Sequence, residues 1–102
     1  MTAAPPGRKS CTVGVYLFDD VEILDFAGPY EVFTTASRLS HRATPASPEP
    51  FTVCTIARTR DLVRARAGLL VQPDYSAARH PSLDVLIVPG GVVTAELAEP
   101  EV

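Results

Sequence analysis

The sequence predicts an α/β fold built on a mostly parallel sheet. Three observations carry that expectation. Residues 11–18, 51–59 and 83–91 form near-continuous apolar runs, the pattern of strands buried on both faces. A helical repeat lies between the first two runs. The order strand, helix, strand, short hairpin, strand, helix is the alternation of parallel sheets, with right-handed crossovers setting helices on the sheet faces.

Each element has its own signal. "CTVGVYLF" (11–18) is β-branched and aromatic, and reads as the first strand. In "DDVE", Asp19 is placed to accept from the Glu22 amide while Glu22 reaches back, a capping box with Asp in the Ser/Thr role. A helix is expected over about 20–39, with Val21, Leu24, Gly28, Val32 and Thr35 or Ala36 at helical spacing on its inward stripe. "SHRATPASPEP" (40–50), with three prolines and two serines, is a loop. "FTVCTIART" (51–59) is the second strand. "LVRARAG" and "LLVQPDYS" read as two short strands bending at Gly68. "LDVLIVPGG" (83–91) is a third buried strand ending in Pro-Gly-Gly, and "VVTAELAEPEV" starts a helix. Open α/β sheets usually carry about five or more strands. Three clear parallel candidates therefore read as the first half of a larger domain, behind a flexible lead-in at 1–10.

Composition excludes several classes. The 102 residues set a prior of one domain at most, and the net charge of −3 argues against a nucleic-acid surface. Arg58, Arg60, Arg64 and Arg66 cluster at alternating positions, as on a solvated strand face. No apolar run approaches the roughly 18 residues of a membrane span, and "MTAAPPGRKS" lacks the apolar stretch of a secretory signal. Cys11 and Cys54 lie in strand-like runs, so a structural disulfide is not expected in a chain that reads as cytoplasmic. Two cysteines and two histidines without ligand spacing give no metal motif, and no cofactor is expected.

Sites in open α/β sheets form outside the carboxyl ends of the strands. Two stretches land there. In "VPGG", Gly90 and Gly91 can bring backbone amides close to a ligand, the donors of an oxyanion pocket; a plain strand-to-helix turn explains the same residues. In "LDFAGPYEVF", Asp25 stands near Gly28-Pro29, where the missing Pro29 N–H leaves the Asp25 carbonyl without its helical donor. Asp25 reads either as an inward carboxyl handling protons or as the cap of a second helical segment. Cys11, at the start of a strand, and Cys54, in mid-strand, are read as core cysteines. His41 and His80 are read as loop residues.

"VGVYLFDDVEILDFAGPYEVF", "GLLVQPDYS" and "LDVLIVPGG", in this order and spacing, resemble the ThiJ/PfpI superfamily. The likeness runs from residue 12 to the C-terminus. It is strongest to the branch containing isonitrile hydratase and the N-terminal domains of AraC-type transcription regulators. The resemblance implies a flavodoxin-like three-layer sandwich, usually dimeric, with residues 11–102 as its N-terminal half. It implies that Asp25 faces a cysteine nucleophile and that the Gly90 and Gly91 amides line the oxyanion pocket. The nucleophile follows a later strand, and no residue here matches it. Two functions are implied: cysteine-dependent hydration of a small carbon–nitrogen substrate in a longer form, or ligand sensing and dimerisation in a regulator. A fragment without independent function is the third expectation. The expected partners are a small molecule and a second copy of the chain, with no direct nucleic-acid contact and no membrane.

Overall fold

A computed structural model describes residues 10–92. Of the expected lead-in and final helix, all but Ser10 and Val92 lie outside these residues. The elements are β1 (Cys11–Leu17), α1 (Ile23–Ala43), β2 (Phe51–Ala57), β3 (Val63–Arg64), a 3₁₀ turn (Arg66–Gly68), β4 (Leu70–Val71), β5 (Tyr75–Ser76) and β6 (Val85–Ile87). The main sheet is parallel in the order β5-β2-β1-β6, and β3 and β4 form a separate antiparallel pair. This is the α/β class with the mostly parallel sheet that the sequence predicts.

β1 is central. It pairs with β2 along its whole length, Cys11 opposite Phe51 and Leu17 opposite Ala57, and with β6 from Val13 opposite Val85. Val13, Val15 and Leu17 are fully buried, as two-sided packing requires. Both edge strands are introduced by an aspartate. Asp84, just before β6, accepts from the Thr12 amide at 2.8 Å and returns its own amide to the Thr12 carbonyl. Asp74, just before β5, accepts from the Thr55 amide at 2.9 Å and donates its amide to the Thr55 hydroxyl and carbonyl. Each carboxylate thus satisfies a backbone donor of a longer strand where no paired residue yet stands.

The third apolar run differs from expectation. Among the described residues it forms an edge strand of three residues with both faces partly open: Val85 is 40% and Leu86 53% exposed. Tyr75 and Ser76, expected in the hairpin, instead join the main sheet beside β2. The hairpin bends at Gly68 as read, with Gly68 at φ 94°.

The helix also differs. It starts at Ile23 and runs unbroken through Pro29 to Ala43. The capping box does not form: Glu22, the residue at the cap, carries no side-chain cap bond. Asp19 accepts instead from the Arg64 amide at 2.9 Å, and the Glu22 amide donates to the Gly90 carbonyl at 3.0 Å. Asp20 takes φ 68°, which no helix accommodates. The inward face is carried by Phe26, Phe33, Ala36, Ser37 and Ser40, whereas Leu24 is 80% and Val32 65% exposed. Phe33 meets the Phe51 ring edge-on at 4.9 Å. Ser37 donates to the Phe51 carbonyl at 2.6 Å and accepts from its amide at 2.9 Å, so a polar side chain fastens the helix to the start of β2.

Candidate functional site

The chain order creates a crevice. From β1 the sheet grows through β2 to β5 on one side, then crosses to β6 on the other. The neighbours β1 and β6 therefore diverge beyond their carboxyl ends, the crevice where open α/β sheets bind ligands. Residues 18–22 leave β1 on one wall, and residues 88–91 leave β6 on the other.

The two walls are stitched together. Val21 and Gly91 form an isolated antiparallel bridge. On its far side the 18–22 segment is held to the hairpin: the Asp20 amide donates to the Arg64 carbonyl at 2.8 Å and the Arg66 amide to the Val21 carbonyl at 3.0 Å. Arg66 and Glu22 add an ion pair at 3.7 Å between half-exposed side chains, the kind of pair worth little energetically.

Asp25 sits in the first turn of α1, exposed rather than inward, which corrects the buried carboxyl expected from the helical projection. At 3.6 residues per turn the observed inward face lies more than a third of a turn from the expected stripe, because the sheet-facing residues include Ser37 and Ser40, which disguise that face as polar. Nor does Asp25 cap a second helical segment, since α1 is continuous. Its Oδ2 accepts from the Gly90 amide at 3.3 Å, across 65 positions of sequence. Asp25 and Gly90 are thus brought together at the mouth of the crevice, a carboxylate beside a backbone donor.

Gly90 and Gly91 play different parts. A Cβ on Gly90 would meet only the flexible end of Asp25, Oδ2 at 2.9 Å. At Gly91, φ is 147° and a Cβ would lie 2.6 Å from the Asp20 carbonyl oxygen and 3.0 Å from Val21 Cα. Gly91 is therefore needed for the approach of two backbones, a sufficient steric reason for glycine there. Gly90 links the segment after β6 to the start of α1: its amide meets Asp25, and its carbonyl accepts from the Glu22 amide.

The cysteines lie elsewhere. Cys11 opens β1 at the amino end of the sheet, away from the crevice. Cys54 is buried in β2, where desolvation first and the nearby Asp74 charge second push its thiol above the usual range. A raised thiol pKa keeps the sulfur protonated and unreactive near neutrality. Among the described residues no group of three or more His, Cys, Asp or Glu could hold a metal ion, and no helix is long and apolar enough to cross a membrane.

The chain has the fold of the ThiJ/PfpI and DJ-1 superfamily. A ThiJ/PfpI family protein from Pseudomonas syringae superposes with a TM-score of 0.72 at 21% identity, over 91% of this chain and 35% of that one. An AraC family transcriptional regulator from Pseudomonas putida gives a TM-score of 0.67 at 29% identity, over 89% of this chain and 52% of that one. Toxoplasma gondii DJ-1 gives 0.66 at 18% identity, over 90% of this chain and 45% of that one. In sequence, the chain is 32% identical over 91 residues to an uncharacterized protein in the cpoL 5' region of Streptomyces lividans. It spans 55% of the length of that curated relative. No family model matches the chain.

Proposed function

We propose that this chain contributes a small-molecule site at the β1/β6 crevice, and that it serves as part of a ligand-sensing domain of an AraC-type regulator. The observation that carries the site is the Asp25 carboxylate resting on the Gly90 amide at the topological switch point. An acceptor and a donor held together at an open mouth can exchange that bond for bonds to a polar ligand. The sensing reading is favoured by the 29% identity to the Pseudomonas putida regulator.

A second reading rests on the same two groups. In an isonitrile hydratase-like enzyme, water adds across a carbon–nitrogen multiple bond. Asp25 would carry the proton and the Gly90 amide, with Gly91 beside it, would face the developing charge. The nucleophilic thiol must then come from a residue other than Cys11 and Cys54, given their placement and, for Cys54, its burial. The encoding DNA beyond the codon for Val102 separates the readings. A basic helix-turn-helix pair is the result expected for the sensor. A cysteine at a strand-to-helix elbow, with no such pair and with N-cyclohexylformamide produced from cyclohexyl isocyanide and water, makes the enzyme the correct reading. A stop codon directly after Val102 would remove both in favour of a fragment.

The second copy expected from the resemblance has a surface to cover. Leu24, Val32 and Leu39 are all more than half exposed along one side of α1. We propose that a second chain docks there, burying that stripe. Sedimentation of the purified chain is expected to show dimers that Val32→Lys dissociates; a monomer at every concentration would remove the proposal.

A further inference from the structure

A hollow of about 240 Å³ lies between α1 and the stretch that joins β4 to β5, with Thr55 of β2 at its base. It is on the β2 side of α1, whereas Asp25 meets Gly90 on the β6 side, so it does not depend on the reading given above for that site. Its walls are largely apolar, and three of them present open surface: Ala27 and Val71 are half-buried and Tyr30 is 38% exposed. Asp74 is the one charged residue lining it, and its carboxylate is fixed. Asp74 Oδ2 accepts from the Thr55 amide at 2.9 Å, the Asp74 amide donates to the Thr55 hydroxyl at 2.9 Å, and the neighbouring Pro73 is fully buried. Among the described residues Asp74 enters no ion pair. One negative charge, held in place and not neutralised, beside an aromatic wall and apolar surface is complemented by a cation with an apolar body.

We propose that this hollow binds a small primary alkylammonium, its cation on Asp74 and its alkyl chain against Tyr30, Ala27 and Val71. With Oδ2 committed to Thr55, the Asp74 carboxylate keeps Oδ1 for an ammonium, which brings three donors. An aromatic wall packs alkyl groups and attracts cations over its face. Size limits the guest. At roughly 30 Å³ per water-sized group, the hollow holds about eight non-hydrogen atoms. Isopentylamine is within that size. An alcohol of the same shape lacks the charge that Asp74 complements, and a carboxylate of the same shape is repelled by it.

The test is a titration of the isotope-labelled chain with isopentylamine, isopentanol and isovalerate at neutral pH, read at the backbone amides. Isopentylamine is expected to give saturable shifts at Thr55, Val71 and Asp74 and to leave the Gly90 amide unmoved. Isopentanol is expected to need about tenfold more ligand, and isovalerate to give no saturable shift. Asp74→Asn keeps an oxygen for the Thr55 amide and loses the charge, and is expected to weaken isopentylamine by about tenfold. Asp84→Asn, which stands in the same relation to the Thr12 amide at the other edge of the sheet, serves as the unchanged control. No saturable shift at the three amides overturns the proposal. So does equal affinity for isopentanol, which is read on the parent chain and needs no variant, or unchanged affinity for isopentylamine after Asp74→Asn.

Discussion

Gly91→Ala is expected to destabilise the fold by about 3 kcal/mol or more, with a drop in melting midpoint of roughly 12 °C or more for a chain of this length. Two costs add. The backbone at Gly91 has φ 147°, which residues bearing a Cβ rarely adopt. The new methyl would also sit 2.6 Å from the Asp20 carbonyl and 3.2 Å from the Phe18 ring. The first neighbour is backbone, pinned by the Asp20 amide to Arg64 and by the Val21–Gly91 bridge, so it cannot step aside cheaply. Relief requires the two walls of the crevice to part. Gly90→Ala is the internal comparison: its methyl meets only the Asp25 carboxylate, the free end of a flexible side chain. It is expected to displace that carboxylate while melting within a few degrees of the parent. Thermal unfolding followed by circular dichroism reads both. Equal melting of Gly91→Ala and parent would show that the crevice walls are not joined as described.

Asp25→Asn carries the second large effect, on function rather than folding. Asp25 is exposed and its contact to Gly90 is a long bond at 3.3 Å, so the substitution is expected to cost less than about 1 kcal/mol of stability, including the loss of a negative charge near the helix N-terminus. The carboxamide still accepts from Gly90, but it neither takes nor releases a proton. In a longer natural form that hydrates cyclohexyl isocyanide, turnover is expected to fall by about 10²–10⁴-fold with the fold intact. In a form that senses a ligand without turning it over, the same variant is expected to change affinity and leave no rate to lose. Unchanged turnover would remove Asp25 from proton handling.

Much of the fold was legible because its signals are local. β1, β2 and the bend at Gly68 follow from apolar runs and a single glycine. What failed depended on distance. Apolar composition reads 83–91 as a buried strand, yet a run of Val, Leu and Ile cannot say whether a strand has neighbours on both sides, and among the described residues β6 is an edge. The α1 face was misread because Ser37 turns inward to bond the Phe51 backbone, a partner visible only once β2 is folded against the helix. Asp19 looked like a cap for the helix three residues on, but the Arg64 amide, 45 positions away, claims it. The rule for open α/β sheets puts Asp25 and Gly90 at the same end of the sheet, but their direct contact follows from no periodicity, since they stand 65 positions apart.

The central claim is that Asp25 and Gly90 share one site at the β1/β6 switch point. The Gly90 amide chemical shift, compared between the parent chain and Asp25→Ala, tests it most directly. A backbone donor moves in chemical shift when its carboxylate acceptor is removed. Asp25→Ala is expected to move the Gly90 amide while the amides of β2 stay in place. A Gly90 amide unmoved by Asp25→Ala would contradict the account.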